Sequence, residues 1–444
     1  MRQHALIIGG GIGGLLAALA LEGQFQRISV LERGEYPDLQ TEGSPAMRPS
    51  APQSRCLHVM MAAGASAMDE LLPGWRAQLQ SLGAVPFDAS RDAVMRLSAG
   101  CLPRSCSGIT LYACSRSLLE HMLRLRIGSA PGISLYTRQE VRGLAHDRSR
   151  QAVKGVWLQQ PATAQCDLIE ADLVVDASGA ASRLPQWLAQ GANVAAGTDS
   201  PDSSAHGSVV PVRETVVSPG RRQVSCWFHI DPEEAPDWHC LALAPDPCNA
   251  WRSLMMLRAE HDRWGLVLVD PTRESLPRTP AALRELVARF NECQLSGMLQ
   301  RATPVSPVHR LSPSINRWRH HEESAFWPNG LVALGDSACT LDPYAGLGMS
   351  LAARASLLLR DEISKNRESA PECRRFQQAL AEQNRPAWEQ TTGCDVEGHA
   401  LREDSLHLRQ LYEAAPGSQA ITHALLAVQN LLSPRQSLSS REFA

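Results

Sequence analysis

Lysine is nearly absent from this chain. Its 444 residues include two, Lys154 and Lys365, and the rest of the 43 basic residues are arginine. The formal net charge is −3, so neither nucleic acid nor an anionic membrane surface is favoured as a partner. The twelve cysteines form no C-x-x-C pair and have no histidine at zinc spacing, so no structural metal is expected. A long apolar run is also lacking. Residues 5–21 carry no charge, but they are short for a membrane span of about 20 residues, and their centre is glycine-rich. No A-x-A-like cleavage site follows, so no export signal is expected. The cysteines then read as reduced thiols of a cytoplasmic protein. Internal repeats and long low-complexity segments are missing as well.

What is present begins at Ala5. Through Glu32 the chain reads ALIIGGGIGGLLAALALEGQFQRISVLE: a short apolar strand, a glycine turn, a helix, a second strand and an acid. Gly9, Gly11 and Gly14 have G-x-G-x-x-G spacing. The first allows a tight turn, the second lets a phosphate approach the backbone, and the third lets the helix pack close to the strand. The helix aims its N-terminal amides at a pyrophosphate. Glu32 stands where the motif needs an acceptor for a ribose hydroxyl. This stretch alone leaves NAD and FAD unseparated.

The length calls for two or more domains. A Pro/Ser-rich loop covers residues 41–54, and apolar spacing predicts a helix over 55–72, stopped by Pro73-Gly74. Residues 82–112 read as short strands. Ser115–Arg126 is an amphipathic helix with Ser115 as N-cap. Ile133–Tyr136, Glu140–His146 and Gly155–Gln159 read as one small antiparallel sheet, and Leu173–Val175 as a buried strand ending in Asp176. Residues 191–220 are rich in Ser, Gly, Ala, Asp and Pro, and strands of a separate sheet follow at 223–230, 240–244, 251–258 and 264–269. Pro280–Phe290 reads as a helix, Leu331–Leu334 as a buried strand and Gly348–Ile363 as a long helix; residues 373–444 are mostly helical, punctuated by Pro386, Pro416 and Pro434.

A second signal is VALGDSACTLDPYAGLGMSLAARASLLL, Val332–Leu359. A buried strand delivers Asp336 to its carboxyl end, where ligands bind in parallel sheets. Asp336 there can accept from a sugar or ribityl hydroxyl, and a helix N-terminus near Met349 can stabilise negative charge. An ordinary strand–turn–helix with a capping aspartate explains the stretch equally well on its own.

Three ordered motifs together carry a resemblance. Gly9/Gly11/Gly14 with Glu32, DASGAAS at Asp176–Ser182, and GDSACTLDPYAGLGM at Gly335–Met349 resemble the fingerprints of the single-component FAD-dependent monooxygenases, which have the para-hydroxybenzoate hydroxylase fold. PQSRCLHVMMAAG (Pro52–Gly64), SRSLLEHMLR (Ser115–Arg124) and PAWEQTTGCD (Pro386–Asp395) resemble the subgroup of 2-polyprenyl-6-methoxyphenol hydroxylase-like oxidoreductases. The implied fold is α/β: a Rossmann-like FAD-binding domain from residues 1–81, 113–190 and 304–372, a discontinuous, mainly antiparallel β substrate domain from 82–112 and 191–303, and C-terminal helices over 373–444 covering the pocket. The resemblance also assigns residues. Gly9, Gly11, Gly13 and Gly14 would hold the FAD pyrophosphate, with Glu32 and Arg33 at the adenosine ribose and Val141 at the adenine. Arg116 would approach the phosphate or ribityl region, as would Gly335 and Asp336. Pro343, Gly346, Gly348 and Met349 would lie along the isoalloxazine. Arg55 matches an arginine near the flavin, and His58 would face the pocket; these two are the catalytic candidates. Asp176, Ser182 and Arg183 lie in a motif linked to FAD and nicotinamide use, although Asp-Ala-Ser-Gly replaces the commoner Asp-Gly. Trp327 and the tryptophans at 227, 238 and 251 are candidates for the pocket wall, or plain core.

The implied activity is monooxygenation of a small organic, secondary-metabolite substrate, with oxygen activated on reduced flavin in a closed, dry pocket. Hydroxylation, epoxidation and Baeyer–Villiger insertion stay open, as do NADH against NADPH and monomer against homodimer. No second G-x-G-x-x-G is present, so NAD(P)H is expected as a transient reductant. Three alternatives share the FAD motifs. One is a reductase or dehydrogenase of the geranylgeranyl-reductase type. Another is a halogenase, disfavoured because its W-x-W-x-I-P stretch and active-site lysine are missing. The third is a non-enzymatic flavin-binding protein.

Overall fold

The computed structural model describes the chain apart from residues 1, 40–44, 148–150, 161–164, 196–211, 244–251, 273, 291, 312–314, 325–326, 366–372, 401–402 and 440–444. A five-stranded parallel sheet runs in the order Leu331–Ala333, Leu173–Asp176, Arg2–Ile8, Phe25–Leu31, Ile133–Tyr136. Its strands are near-continuous apolar runs, as expected for a parallel sheet covered on both faces. Register decides what the sheet does. Ile8 pairs with both Leu31 and Asp176, and Asp176 pairs with Ala333. The carboxyl ends of four strands are therefore level, and Gly9, Glu32, Ala177 and Leu334 emerge side by side. Helix Ile12–Ala20 packs against the sheet and against helices Arg116–Gly128 and Gly348–Lys365.

The sequence expectation fails at Ile133–Tyr136. That strand joins the parallel sheet beside Phe25–Leu31, and the antiparallel sheet is built instead from Glu140–Asp147, Ala152–Gln159 and Cys166–Glu170. The reason is connectivity: helix Arg116–Gly128 just before it makes Ile133–Tyr136 the strand after a crossover helix, which continues a parallel sheet. The helix expected over 55–72 is also corrected. Pro52–Arg55 is a 3-10 turn, Leu57–Met60 is a strand paired antiparallel with Thr110–Ser115, and the helix spans Ala62–Leu71. Alternation within LHVM, rather than helical spacing, governs this piece. Leu57 and Val59 lie against one apolar cluster, while Met60 is buried in another. Pro386 does not end a helix either. It sits inside Cys373–Thr392 on an exposed face, where the carbonyl it leaves unpaired can be reached by water.

A second, mixed sheet has the order Thr303–Pro304, Arg222–His229, Arg263–Asp270, Ser253–Arg258, Cys240–Leu243, Ala93–Leu97, Gly100–Cys101. His309–Leu311 also pairs with Arg222–His229. All its pairings are antiparallel except Cys240–Leu243 with Ala93–Leu97. One face, including Val224, Cys226, Phe228, Trp264 and Leu266, shares a core with helices Pro280–Ala288 and Cys293–Arg301. The alternate residues Gln223, Ser225 and Trp227 turn the other way and bond to Asp342 and to the Arg55 carbonyl.

The C-terminal helices pack back on earlier elements of the chain. Trp388 is buried edge-on against Trp318, with ring centroids 5.6 Å apart. Helix Ala62–Leu71 has no side-chain cap of its own. Its cap comes from Asn430: Oδ1 accepts from the Ala62 amide at 3.1 Å, and the Asn430 carbonyl accepts from Ala63 at 3.2 Å. No helix among the described residues is long and apolar enough to cross a membrane. Asn430→Ala is expected to lower stability by about 1–2 kcal/mol, because the buried Ala62 amide loses its acceptor. Chemical denaturation checks this; a midpoint matching wild type would show that the cap is dispensable.

Candidate functional site

The first turn is sterically fixed. Gly9 has φ of +100°, and a Cβ there would lie 2.5 Å from the Ala177 carbonyl oxygen. A Cβ on Gly14 would lie 1.8 Å from the Gly9 oxygen, so the helix start can approach the strand only as glycine. A Cβ on Gly11 would meet Arg116 Nη2 at 3.4 Å. Gly13 instead packs toward Leu334 and Ala352. Gly11 is the N-cap of helix Ile12–Ala20, so that helix start faces Arg116.

Beside this turn lies a buried network that sequence reasoning did not single out. Arg48, 5% exposed, bridges two carboxylates that are each 4% exposed. Its Nη2 lies 2.5 Å from Glu32 Oε2, and its Nη1 lies 3.1 Å from Glu120 Oε2. It also donates to the Gly10 carbonyl at 3.1 Å and to Ser50 Oγ at 2.9 Å. Arg48 and Arg124 lie 4.5 and 4.3 Å from the centroid of the Tyr36 ring, whose hydroxyl donates to the Gly10 carbonyl at 2.6 Å. Glu120 in turn holds Arg116 Nε at 2.9 Å. Glu32 Oε2 accepts from the Gly10 amide at 2.8 Å, and Oε1 from Gly34 at 2.7 Å. Burial pushes the Glu32 carboxyl up, but the Arg48 guanidinium and these two amides push it down further, and the net shift is downward. The signal that could have found Arg48 is an arginine in a Pro/Ser-rich loop that ends just before the next strand.

Arg33 is exposed and lines a cleft of about 1060 Å³ next to Glu32, with Tyr36, Pro49, Arg138, Glu140 and Gln159. Val141, between the lining residues Glu140 and Arg142, has its side chain in the hydrophobic core. Asp176 is fully buried, and its carboxylate is turned into its own loop, accepting from Ser178 Oγ and Ser182 Oγ, each at 2.5 Å. Burial raises its carboxyl, with the serine hydroxyls and Arg319 opposing. Arg183 lies over the Trp187 ring. A second buried arginine, also missed from sequence, ties this loop to the next motif. Arg319 donates to the carbonyls of Ala180 at 2.9 Å, Ser337 at 3.0 Å and Asp336 at 3.2 Å.

Gly335 has φ of +63°, and Asp336 follows half-buried. Among the described residues no hydrogen bond to the Asp336 carboxylate is found. Desolvation raises its carboxyl, with Arg116 and Arg319 opposing. A Cβ on Gly348 would lie 3.9 Å from Asp336 Oδ1, so the free carboxylate sits near the start of helix Gly348–Lys365. Pro343 is exposed, Gly346 has φ of +69° and lies near Met61 Sδ, and Met349 is buried. Gly64 packs directly on Ser350, which brings residues 58–64 onto the start of the long helix.

His58 is half-buried, with Nδ1 3.0 Å from the Cys56 carbonyl. Because a carbonyl only accepts, Nδ1 carries the proton and Nε2 is left as an acceptor. Desolvation and then Arg116 push the ring pKa down to about 3, so the ring is neutral at physiological pH. Arg55 has an exposed side chain, and its carbonyl accepts from Ser225 Oγ at 2.8 Å and from Trp227 Nε1 at 3.2 Å. Of the tryptophans considered for the pocket wall, Trp238 lies in the core of the second sheet and Trp327 donates to the Leu331 carbonyl at 2.7 Å. Residue 251 lies outside the described residues. His320, Glu322 and Glu323 come close enough to share a metal ion, but Arg213 already donates to His320 and Glu323.

With this geometry in hand, comparison with known proteins is informative. No protein-family model matches the chain. It is 28% identical over 417 residues to Protein Rv3254 of Mycobacterium tuberculosis, covering 91% of this chain and 82% of that one. Among solved structures, PqsL from Pseudomonas aeruginosa, described as a probable FAD-dependent monooxygenase, matches with TM-score 0.63 and 16% identity over 94% of this chain and all of that one. The chain has the flavin-monooxygenase fold. The flavin-dependent brominase Bmp2 matches with TM-score 0.64 at 12% identity, covering 96% of this chain and 94% of that one. The 2-methyl-3-hydroxypyridine-5-carboxylic acid oxygenase matches with TM-score 0.60 at 16% identity, covering 97% and 98%.

Arg48→Met is expected to cost about 3–5 kcal/mol at pH 7, since it leaves Glu32 buried without a cation and Glu120 with Arg116 as its remaining partner. The sign of the pH effect follows from Glu32. Its folded pKa is depressed, so its stabilising contribution exists above the ordinary value of 4.5 and is lost as pH falls below it. In Arg48→Met the downward pull is gone, and protonation relieves the burial cost. The deficit relative to wild type should therefore narrow between pH 7 and pH 4 in urea titrations. A deficit that widens would contradict the assignment.

Proposed function

We propose that this protein is an FAD-dependent monooxygenase that uses NAD(P)H and O2 to oxygenate a small organic substrate. One observation carries the reading: strand register brings the Gly9–Gly14 turn, Arg116 and the free Asp336 carboxylate to one edge of the parallel sheet, in a fold shared with flavin monooxygenases. The residues fit the cofactor. Gly11 puts no side chain between the helix start and the Arg116 guanidinium, as a pyrophosphate needs. The unpartnered Asp336 carboxylate suits a hydroxylated chain. The cleft beside Glu32 and Arg33 suits an adenosine. Bound FAD would supply the store for electrons from NAD(P)H and the means of passing one oxygen atom to a substrate.

The chain's own groups would do the rest. The Gly11 amide and Arg116 would hold the pyrophosphate, Glu32 the ribose, and Asp336 the ribityl chain. Pro343–Met349 would lie along the ring. The neutral His58 would offer Nε2 as a hydrogen-bond acceptor on that side, and Arg55, held by Ser225 and Trp227, would sit where the two sheets meet. The C-terminal helices would exclude water. The substrate class follows the neighbours: one PqsL structure is a complex with 2-aminobenzoylacetate, and the oxygenase neighbour is named for a pyridine carboxylic acid.

Purified wild type should bind FAD and quench its fluorescence. Arg116→Ala and Asp336→Ala should each weaken binding about 10- to 100-fold, the range for losing a hydrogen bond to a charged group. Wild type that takes up no FAD would refute the reading. With a substrate found by stimulated NAD(P)H oxidation, ¹⁸O₂ should place one labelled atom in the product. Unlabelled product formed equally well without oxygen would instead identify a reductase.

A further inference from the structure

The segment expected along the flavin ring is held from outside its own domain. Asp342, just before the 3-10 turn Pro343–Ala345, is 2% exposed. Its Oδ1 accepts from the Tyr344 amide and from Gln223 Nε2, both at 3.0 Å. Gln223 is itself buried and belongs to strand Arg222–His229 of the second sheet. The Asp342 amide donates to Asn316 Oδ1 at 2.7 Å, and Asn316 is 1% exposed. The other carboxylate oxygen is buried without a hydrogen bond, and its nearest cation is Arg221 Nη1 at 3.6 Å. Arg221 lies 5.1 Å over the Tyr344 ring. Tyr344 interacts in turn with Tyr412 on helix Glu403–Ala414.

A capping aspartate needs only the Tyr344 amide to form its turn. The Gln223 amide and the Arg221 guanidinium are additional; Gln223 lies in the strand Arg222–His229 and Arg221 directly precedes it. We infer that Asp342 is a positioning residue: through Gln223 and Arg221 it fixes the loop Pro343–Gly348 to the second sheet, so that a substrate seated on that sheet and the flavin ring share one rigid mount. Asp342 touches neither substrate nor cofactor. Its effect reaches the ring through the loop, while the pyrophosphate end, held by Gly11 and Arg116, is independent of it. This inference rests on the flavin reading above.

The test compares Asp342→Ala, Asp342→Asn and Gln223→Leu with wild type in two measurements. Hydrogen exchange over residues 341–349, without added FAD, reads the mount directly. Asp342→Ala should raise exchange there about 10-fold or more. Asp342→Asn, which keeps an acceptor for Gln223 and Tyr344, should recover most of the protection. Gln223→Leu should loosen the same loop without any change in its sequence, and the double variant Asp342→Ala/Gln223→Leu should add little to Asp342→Ala. Unchanged exchange, or fully additive effects, would overturn the mount whatever the flavin does. The second measurement is FAD binding with visible circular dichroism of the bound flavin. FAD affinity should stay within about 3-fold of wild type while the flavin dichroism of Asp342→Ala changes. An affinity loss as large as that of Arg116→Ala, with unchanged dichroism, would overturn the role assigned to Asp342. Wild type that shows the exchange effects but binds no FAD would refute the flavin reading, and the positioning role with it, while leaving the loop's attachment established.

Discussion

The buried pairing of Arg48 with Glu32 and Glu120 is the constraint on which the first half of the site depends. Two carboxylates brought this close inside a protein would repel each other and be driven toward protonation. One guanidinium, set against the Tyr36 ring and bonded to the Gly10 carbonyl, pairs with both, and Arg116 brings the second positive charge to Glu120. The cost of burying three charges is met only because nearly every lone pair and N–H has a partner. The result is a set of side chains with little freedom. Glu32 is anchored by the Gly10 and Gly34 amides, and Arg116 is aimed by Glu120 past Gly11. Preorganisation of this kind lowers the ordering cost of binding a long, flexible ligand.

Arg319 plays the matching part in the other half. It gathers the carbonyls of Ala180, Asp336 and Ser337, and so ties the loop after one strand to the turn after its neighbour. Asp176 completes this by closing its own loop onto Ser178 and Ser182. Among the described residues, Asp336 is hydrogen-bonded through its carbonyl and not through its carboxylate.

Much of the frame was legible in the sequence. The glycine spacing, the apolar strands ending in Asp176 and Leu334, and the Ser115 cap are local signals, and local signals survive without knowledge of the fold. Ser115 Oγ does accept from the Leu118 amide. Short strands were harder. LHVM at 57–60 resembled a helix start because its partner strand, Thr110–Ser115, lies about 50 residues away. Ile133–Tyr136 was assigned to the nearer sheet for the same reason. Arg48, Glu120, Arg319 and Asp342 were not recognised because nothing beside them in the sequence announces a partner. Their meaning comes from contacts that only the folded chain makes.

The cap on helix Ala62–Leu71 comes from a residue 368 positions further along the chain. On a ribosome adding about 5–20 residues per second, that leaves tens of seconds in which the glycine turn, Glu32 and Arg48 exist but the helix carrying Gly64 has no acceptor for its first amides. Completion of this helix's cap is then tied to the end of synthesis rather than to the emergence of the glycine turn, so the first strands of the parallel sheet are made long before the piece that secures residues 62–71.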